Sequence, residues 1–181
     1  MLSIVVPENE VFNNETNEFI KVKKQTLHLE HSLVSMSKWE SKWHKPFITK
    51  KEKTFEETID YIKCMTITQN VDDNVYYALT PENLQQINDY IEDPMTATTI
   101  SESPNSRKGR HNILTSEVIY SAMIALNIPV EFQKWHLNRL LTLIKVCESN
   151  NTPAKKMSKS EILKRNRELN EARKAKYHTK G

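Results

Sequence analysis

One short segment of the chain has the residue types of a metal site, since His28, Glu30 and His31 fall within four residues. On a β-strand the side chains of His28 and Glu30 share one face and that of His31 points to the other, so the three do not converge. A catalytic zinc ion needs three convergent protein ligands. We therefore interpret the segment as ordinary polar residues at the end of a strand and expect neither a metal nor another cofactor.

Two cysteines, Cys64 and Cys147, are the candidate nucleophiles. Both lie in apolar patterns of helical period, which is typical of reduced residues that pack in a core. Two cysteines can form a single bridge but build no disulfide framework, and no local signature pairs either one with a histidine. The histidines that distant segments supply are His44, His111 and His136.

Neighbouring carboxylates and glycine-rich loops are the other common catalytic signals. Glu56, Glu57 and Asp60 lie in the first two turns of a predicted helix, where acidic side chains complement the helix dipole. The chain has only two glycines, which excludes the phosphate-binding loops and dinucleotide fingerprints that need several. We expect a protein that is not an enzyme.

Three tryptophans stand beside lysines: Trp39, Trp43 and Trp135. Aromatic and basic residues together can stack and neutralise nucleic acid. At helical spacing the combination more often means core aromatics with lysines on the solvent side. The core interpretation is favoured for all three.

The hydrophobic pattern predicts a mainly α fold of the α+β class, in which a helical domain carries a small N-terminal β-hairpin or sheet and a basic helical C-terminal tail. We expect a β segment at 1–31, a helical core domain at 32–150 and the tail at 151–181. The predicted strands are 3–6, 10–12, 18–22 and 26–30. The predicted helices are 32–44, 54–65, 81–93, 118–126, 129–148 and 158–176. In the second of these, Phe55, Ile59 and Ile62 should face inward. The helix at 129–148 is predicted to be a single buried spine of the domain. The connector at 94–114 is long enough to be either functional or disordered.

Charge is unevenly placed along the 181 residues. Residues 151–181 hold ten Lys or Arg and three Glu, a charge of +7, so the first 150 residues carry −4 of the total of +3. Such a tail can contact phosphates, or it can be a solvated helix that folds on a protein partner. Because acidic residues interrupt the basic ones at helical spacing, a protein partner or a plain solvated helix is favoured over phosphate contact. The predicted partner-binding residues are Lys155, Lys156, Ile162, Leu163, Lys164, Arg165, Arg167, Leu169, Arg173 and Lys174.

Three stretches of sequence together resemble a known family. They are LEHSLVSMSKWESKWHKPF at 29–47, EDPMTATT at 92–99, and FQKWHLNRLLTLI at 132–144, the last followed by PAKKM at 153–157. The combination is similar to small proteins of long-tailed bacteriophages described as tail-assembly chaperones, over most of the chain from about residue 16.

The resemblance implies a helical, non-enzymatic protein that binds the tape-measure protein and helps to recruit tail-tube subunits. It also implies a location in the host cytoplasm, which fits a chain without a signal peptide or an apolar run of membrane-spanning length. Self-association stays open, and nucleic acid is the less favoured partner. The alternatives are a structural virion protein, such as a head–tail connector or tail-completion component, and a nucleic-acid-binding regulator that uses the basic tail.

Overall fold

The computed structural model describes residues 1–13, 18–49, 51–99, 113–151 and 159–177. Its contacts divide the chain into two compact units, 1–149 and 150–181. Across the described ranges the secondary structure is four short strands followed by seven α-helices, which confirms the mainly α, α+β class. No helix in these ranges is long and apolar enough to cross a membrane.

The strands form two antiparallel pairs. β1 (Leu2–Val6) pairs with β4 (Gln25–Leu29), and β2 (Asn9–Asn13) pairs with β3 (Glu18–Val22) as the predicted hairpin. Alternate residues of β1 and β4 are buried, as expected for strands with one face on a core. The far edge of β4 is covered by the chain that leaves the second helix, where the Ile67 amide donates to the His28 carbonyl oxygen at 2.8 Å.

Three of the first four helices begin at a side-chain capping box. The four are α1 (Leu33–Trp43), α2 (Phe55–Met65), the short α3 (Asn74–Tyr77) and α4 (Pro81–Glu92). Thr54 and Glu57 form the predicted capping box of α2, and Thr80 caps α4 with Pro81 at its first position. The one-turn α3 was not predicted, because four residues are too few to show a helical period.

The remaining helices are α5 (Ser116–Ala125), α6 (Leu137–Asn151) and α7 (Lys159–Tyr177). The prediction of one helix over 129–148 is wrong. A 3₁₀ turn (Val130–Lys134) ends at Trp135, whose backbone is extended with ψ 160°, and α6 starts two residues later. The break is tertiary in origin, because Ser32 and His136 form a β-bridge and the Leu137 amide donates to the His31 carbonyl oxygen at 2.8 Å.

The inner face predicted for α2 needs one correction. Ile59 and Ile62 are buried as expected, but Phe55 is 62% exposed. Phe55 is the first residue of α2, so the buried stripe begins one turn after the helix does. Tyr61 and Met65 complete that stripe.

The core of unit 1–149 is a single apolar cluster to which the strands and α1–α6 contribute. Trp39 is buried in it and donates its indole N–H to the Glu57 carbonyl oxygen at 2.9 Å, which confirms the core interpretation for that residue. Trp43 is half-buried and packs against the cluster, and Trp135 is half-buried. The thiols of Cys64 and Cys147 are free, and both residues are half-buried.

Candidate functional site

Helix α7 carries most of the residues predicted to bind a partner. Every side chain described on it is exposed, including the apolar Ile162, Leu163 and Leu169. With about 100° of rotation per residue, Ile162 and Leu169 lie within about 20° of each other around the helix, whereas Leu163 is about 100° away from Ile162. Ile162 and Leu169 therefore form a narrow apolar strip that faces solvent, and Leu163 lies to one side of it.

Basic side chains surround this strip. Lys159–Tyr177 contains seven Lys or Arg and three Glu. Eight of the ten residues predicted to bind a partner lie on α7, namely Ile162, Leu163, Lys164, Arg165, Arg167, Leu169, Arg173 and Lys174. The other two, Lys155 and Lys156, lie outside the described residues. Arg173 projects on the same side as Ile162, whereas Lys164 lies on the opposite side.

Two of the three acidic residues that the sequence singled out, Asp60 and Glu57, hold α2 against α1 and the segment that follows α1. Asp60 pairs with Lys42 and accepts the indole N–H of Trp43 at 2.9 Å. Glu57 accepts from the Lys45 ammonium at 2.6 Å and, as the capping residue, from the Thr54 amide at 2.9 Å. The Lys45 ammonium and, next, the Thr54 contact hold the pKa of the Glu57 carboxyl below its usual range.

Another buried acidic residue, which the sequence did not point to, lies on α1. Glu40 on α1 is buried, and its carboxylate accepts two backbone hydrogen bonds, from the Phe47 amide at 2.8 Å and from the Ser116 amide at 2.7 Å. Ser116 is the first residue of α5, where a negative charge complements the helix dipole. Glu40 thus joins α1 to the start of α5.

The candidate metal segment is divided among different partners. His28 Nδ1 lies 2.7 Å from Ser3 Oγ, and His31 Nδ1 lies 2.5 Å from the Tyr61 hydroxyl. Glu30 accepts from the Tyr90 hydroxyl at 2.6 Å and pairs with the Met1 amine at 2.9 Å. Over the ranges that the structure describes, no three His, Cys, Asp or Glu side chains are grouped to hold a metal ion.

A buried histidine pair lies next to this segment. The rings of His31 and His136 are 5.0 Å apart at an interplanar angle of 64°, and both residues are buried. Burial, with smaller effects of His136 and Lys53, lowers the pKa of His31 to about 3. Sequence reasoning missed the pair because 105 positions separate the two residues in the chain.

The three stretches that resemble tail-assembly chaperones meet in the folded chain. Glu30, Met95 and His136 belong to different stretches and line the same cleft. No family model matches the chain, and neither the curated proteins nor the solved structures searched contain a match. Membership of the chaperone family therefore stays a prediction that the three stretches of sequence carry.

Proposed function

We propose that this chain is a non-enzymatic tail-assembly chaperone that binds the tape-measure protein through α7 and helps to recruit tail-tube subunits. The observation that carries the proposal is that every described side chain of a 19-residue helix is exposed, apolar ones as well as basic ones. The exposed Ile162, Leu163 and Leu169 contribute to no core within the helix's own surroundings, and contact with a partner would explain them.

The chemistry of α7 suits a long helical client. At 1.5 Å per residue the helix is about 28 Å long, enough to lie along several turns of another helix. Its apolar strip of Ile162 and Leu169 would cover an apolar stripe, and its basic residues would face acidic positions beside that stripe. Many copies, each binding weakly, would coat a long client and still be displaced during assembly.

Co-expression with a tape-measure protein tests the proposal. The wild-type chain should keep the client soluble and co-purify with it. Placing a charge on the apolar strip, with Ile162→Asp or Leu169→Asp, should abolish co-purification. Ala175→Asp is the matched control, because it introduces the same charge on the same helix more than 100° away from both positions. Circular dichroism should show that all three variants keep their helix.

The outcomes separate the alternatives. If tape-measure fragments are equally insoluble with and without the protein, the chaperone proposal fails. If Ala175→Asp weakens binding as much as Leu169→Asp does, charge rather than the apolar strip governs the contact. Failure in co-expression together with detection of the protein in purified particles by mass spectrometry would replace the proposal with a structural role in the virion.

The seven basic residues of α7 favour nucleic acid as the second candidate partner. Binding through phosphates would weaken steeply with salt, because each neutralised phosphate releases counterions. A titration of duplex DNA at two salt concentrations distinguishes the two. Binding that falls by orders of magnitude between 50 and 200 mM salt (about 10³-fold for six phosphate contacts), with no client solubilised, would favour the regulator.

A further inference from the structure

The surface that α5 turns to solvent is free of charge after the first turn of the helix. Residues 118–130 contain no Asp, Glu, Lys or Arg, and every other charge-free stretch of the chain has at most eight residues. Ile124 is 78% exposed, more than any other large apolar side chain that the structure describes. Seven of these thirteen residues are exposed, namely Val118, Ser121, Ile124, Ala125, Asn127, Pro129 and Val130.

Helix α5 is apolar on two opposite sides. Ile119 and Met123 on its inner side are buried in the core of unit 1–149. On its outer side Val118, Ser121 and Ile124 fall within an arc of about 120°. A helix that is apolar all round is typical of one enclosed by protein on every side. We call the outer surface the α5 face, which consists of Val118, Ser121, Ile124 and Ala125.

The α5 face is held in place by contacts at both ends of the helix. The Ser116 amide donates to the buried Glu40 carboxylate at 2.7 Å, and the Tyr120 hydroxyl donates to the Gln133 side-chain oxygen at 2.8 Å. A surface that is already fixed loses little conformational freedom when it binds.

Two other segments of the chain have the wrong chemistry to cover this face. Residues 101–112 contain no Val, Ile, Leu, Met, Phe, Tyr or Trp, so they bring no large apolar side chain to it. Helix α7 of another copy has an apolar strip, but it also carries seven Lys or Arg. The uncharged α5 face would leave most of these cations without an acidic partner.

A second copy of α5 matches the face by symmetry. In a two-fold contact both copies use the same patch, so the patch must be complementary to itself. A charged patch repels its own copy, whereas an apolar patch without charge does not. The contact is therefore one that the α5 face can make with itself.

Glu117, the one charged residue of α5, selects the direction of the pair. In a parallel pair the two Glu117 side chains would meet. In an antiparallel pair with its axis at Ser121 they are about 12 Å apart along the helices. Antiparallel helices also place opposite ends of their dipoles together.

We propose that the α5 face is a self-association surface, at which two copies pack α5 antiparallel about a two-fold axis at Ser121. In this register Val118 of each copy lies beside Ile124 of the other, and the small Ser121 lets the helices approach closely. A ten-residue helix is about 15 Å long, so the contact is smaller than the about 800 Å² per partner of a standard interface. The dimer should therefore form reversibly with concentration.

The dimer would carry two α7 helices. This consequence rests on the proposed function, in which α7 binds the client. Two linked helices would bind a repetitive client more tightly than one helix does, because the second contact is intramolecular. Self-association itself requires no client and can be measured alone.

Sedimentation equilibrium of the full chain tests the proposal. The apparent mass should rise reversibly from 21.2 kDa toward twice that value as the concentration increases. Ile124→Asp should raise the dimer Kd at least about tenfold, because it places a charge in an apolar contact. Circular dichroism should show an intact fold, since Ile124 is exposed. Ile67→Asp is the matched control, because Ile67 is also exposed but lies outside α5, and its Kd should be unchanged.

A charge exchange tests the register. Val118→Lys alone should weaken the dimer, but combined with Ile124→Asp in the same chain it should restore the Kd to within a few-fold of the wild type, since each new cation then faces a new carboxylate on the other copy. The two positions lie about 9 Å apart along one helix and about 120° apart around it, so they cannot pair within a chain. An equimolar mixture of the two single variants should also associate.

Several outcomes would overturn the proposal. They are a constant mass of 21.2 kDa at every concentration, a dimer that Ile124→Asp leaves intact, an equal loss in Ile67→Asp, and no restoration by the charge exchange. Leu169→Asp should leave the mass unchanged, and loss of the dimer in that variant would mean that α7 is the contact. A dimer that forms while tape-measure protein stays insoluble would refute the proposed function and leave self-association standing.

Discussion

The substitution Glu40→Gln tests the central polar contact of unit 1–149. Both carboxylate oxygens of Glu40 accept backbone amides, from Phe47 at 2.8 Å and from Ser116 at 2.7 Å, and the residue is 7% exposed. Glutamine keeps the shape but replaces one oxygen with an NH₂ group. One backbone amide would then face a donor with no acceptor in reach.

The magnitude follows from the number of bonds affected. A hydrogen bond to a charged group contributes about 1.5–3 kcal/mol, and a buried donor left unpaired costs about 1–3 kcal/mol. The surviving bond also loses its charge. We expect Glu40→Gln to lower the free energy of unfolding by about 3 kcal/mol.

Urea unfolding followed by tryptophan fluorescence measures this change, because all three tryptophans lie in unit 1–149. Glu8→Gln is the matched control, since it makes the same chemical change at an exposed position and should stay within about 0.5 kcal/mol of the wild type. A loss below about 0.5 kcal/mol in Glu40→Gln, with an unchanged dependence on urea, would refute the view that this carboxylate holds the two amides.

Three further predictions concern single residues. The pKa of His31 is lowered to about 3 in the folded protein, so the unfolded chain takes up that proton first as the pH falls. The free energy of unfolding should therefore fall by up to about 1.4 kcal/mol per pH unit below about pH 6.5. Urea titrations at pH 7, 6 and 5 should show a weaker pH dependence of stability for His31→Gln, and an equal dependence would contradict the lowered pKa of His31. His44 is the C-cap of α1 and lies in the left-handed region with φ 51°, where a residue without a Cβ is favoured. His44→Gly should therefore stabilise the protein by about 1 kcal/mol, and His44→Val should not. Thermal melts of the two variants measure the difference. Burial raises the pKa of the Cys64 thiol to about 11, so its thiolate is roughly 100-fold scarcer at pH 8 than that of an ordinary cysteine. Alkylation of Cys64, followed by mass spectrometry, should be slower by a similar factor. An alkylation rate equal to that of an unfolded peptide would contradict the raised pKa.

Local signals account for the part of the fold that sequence reasoning anticipated. The capping box of Thr54 and Glu57, Pro81 at the first position of α4, and the alternating strands all act within a few residues, and each lies where it was predicted. Such signals work without knowledge of the tertiary structure because the atoms that satisfy each other are close in the chain.

The break before α6 shows where that reasoning stops. If residues 132–147 formed one helix, their apolar positions would cover an arc too wide for a single face. In the sequence alone this width predicts a helix that is buried all round. The width reflects two segments with different orientations, joined at the extended Trp135. Beyond the break, Leu137, Leu140 and Ile144 form an ordinary amphipathic stripe, so a change of phase in the pattern was the available signal.

The basic tail and the cleft that Glu30 and His136 line differ in the same way. The basic tail was visible in the sequence because its residues are neighbours in one helix. The cleft was not, since Glu30, Tyr90 and His136 come from three distant segments of the chain that only the fold brings together. The partners of a buried polar atom cannot be counted before its surroundings are known.

The bridge between Ser32 and His136 also bears on how the protein is made. The bridge closes a loop of about one hundred residues, so contacts essential to the core are far apart in the chain, which slows folding relative to a simple helical bundle.

A ribosome that adds 5–20 residues per second needs about 5–20 s to travel from the first of these residues to the second. During that interval Leu27, Leu29 and Leu33, which are fully buried in the finished protein, lack the part of the core that α6 contributes. A protein that we propose shields the apolar surface of another chain would thus itself pass through a stage of synthesis in which its own apolar surface is open to aggregation.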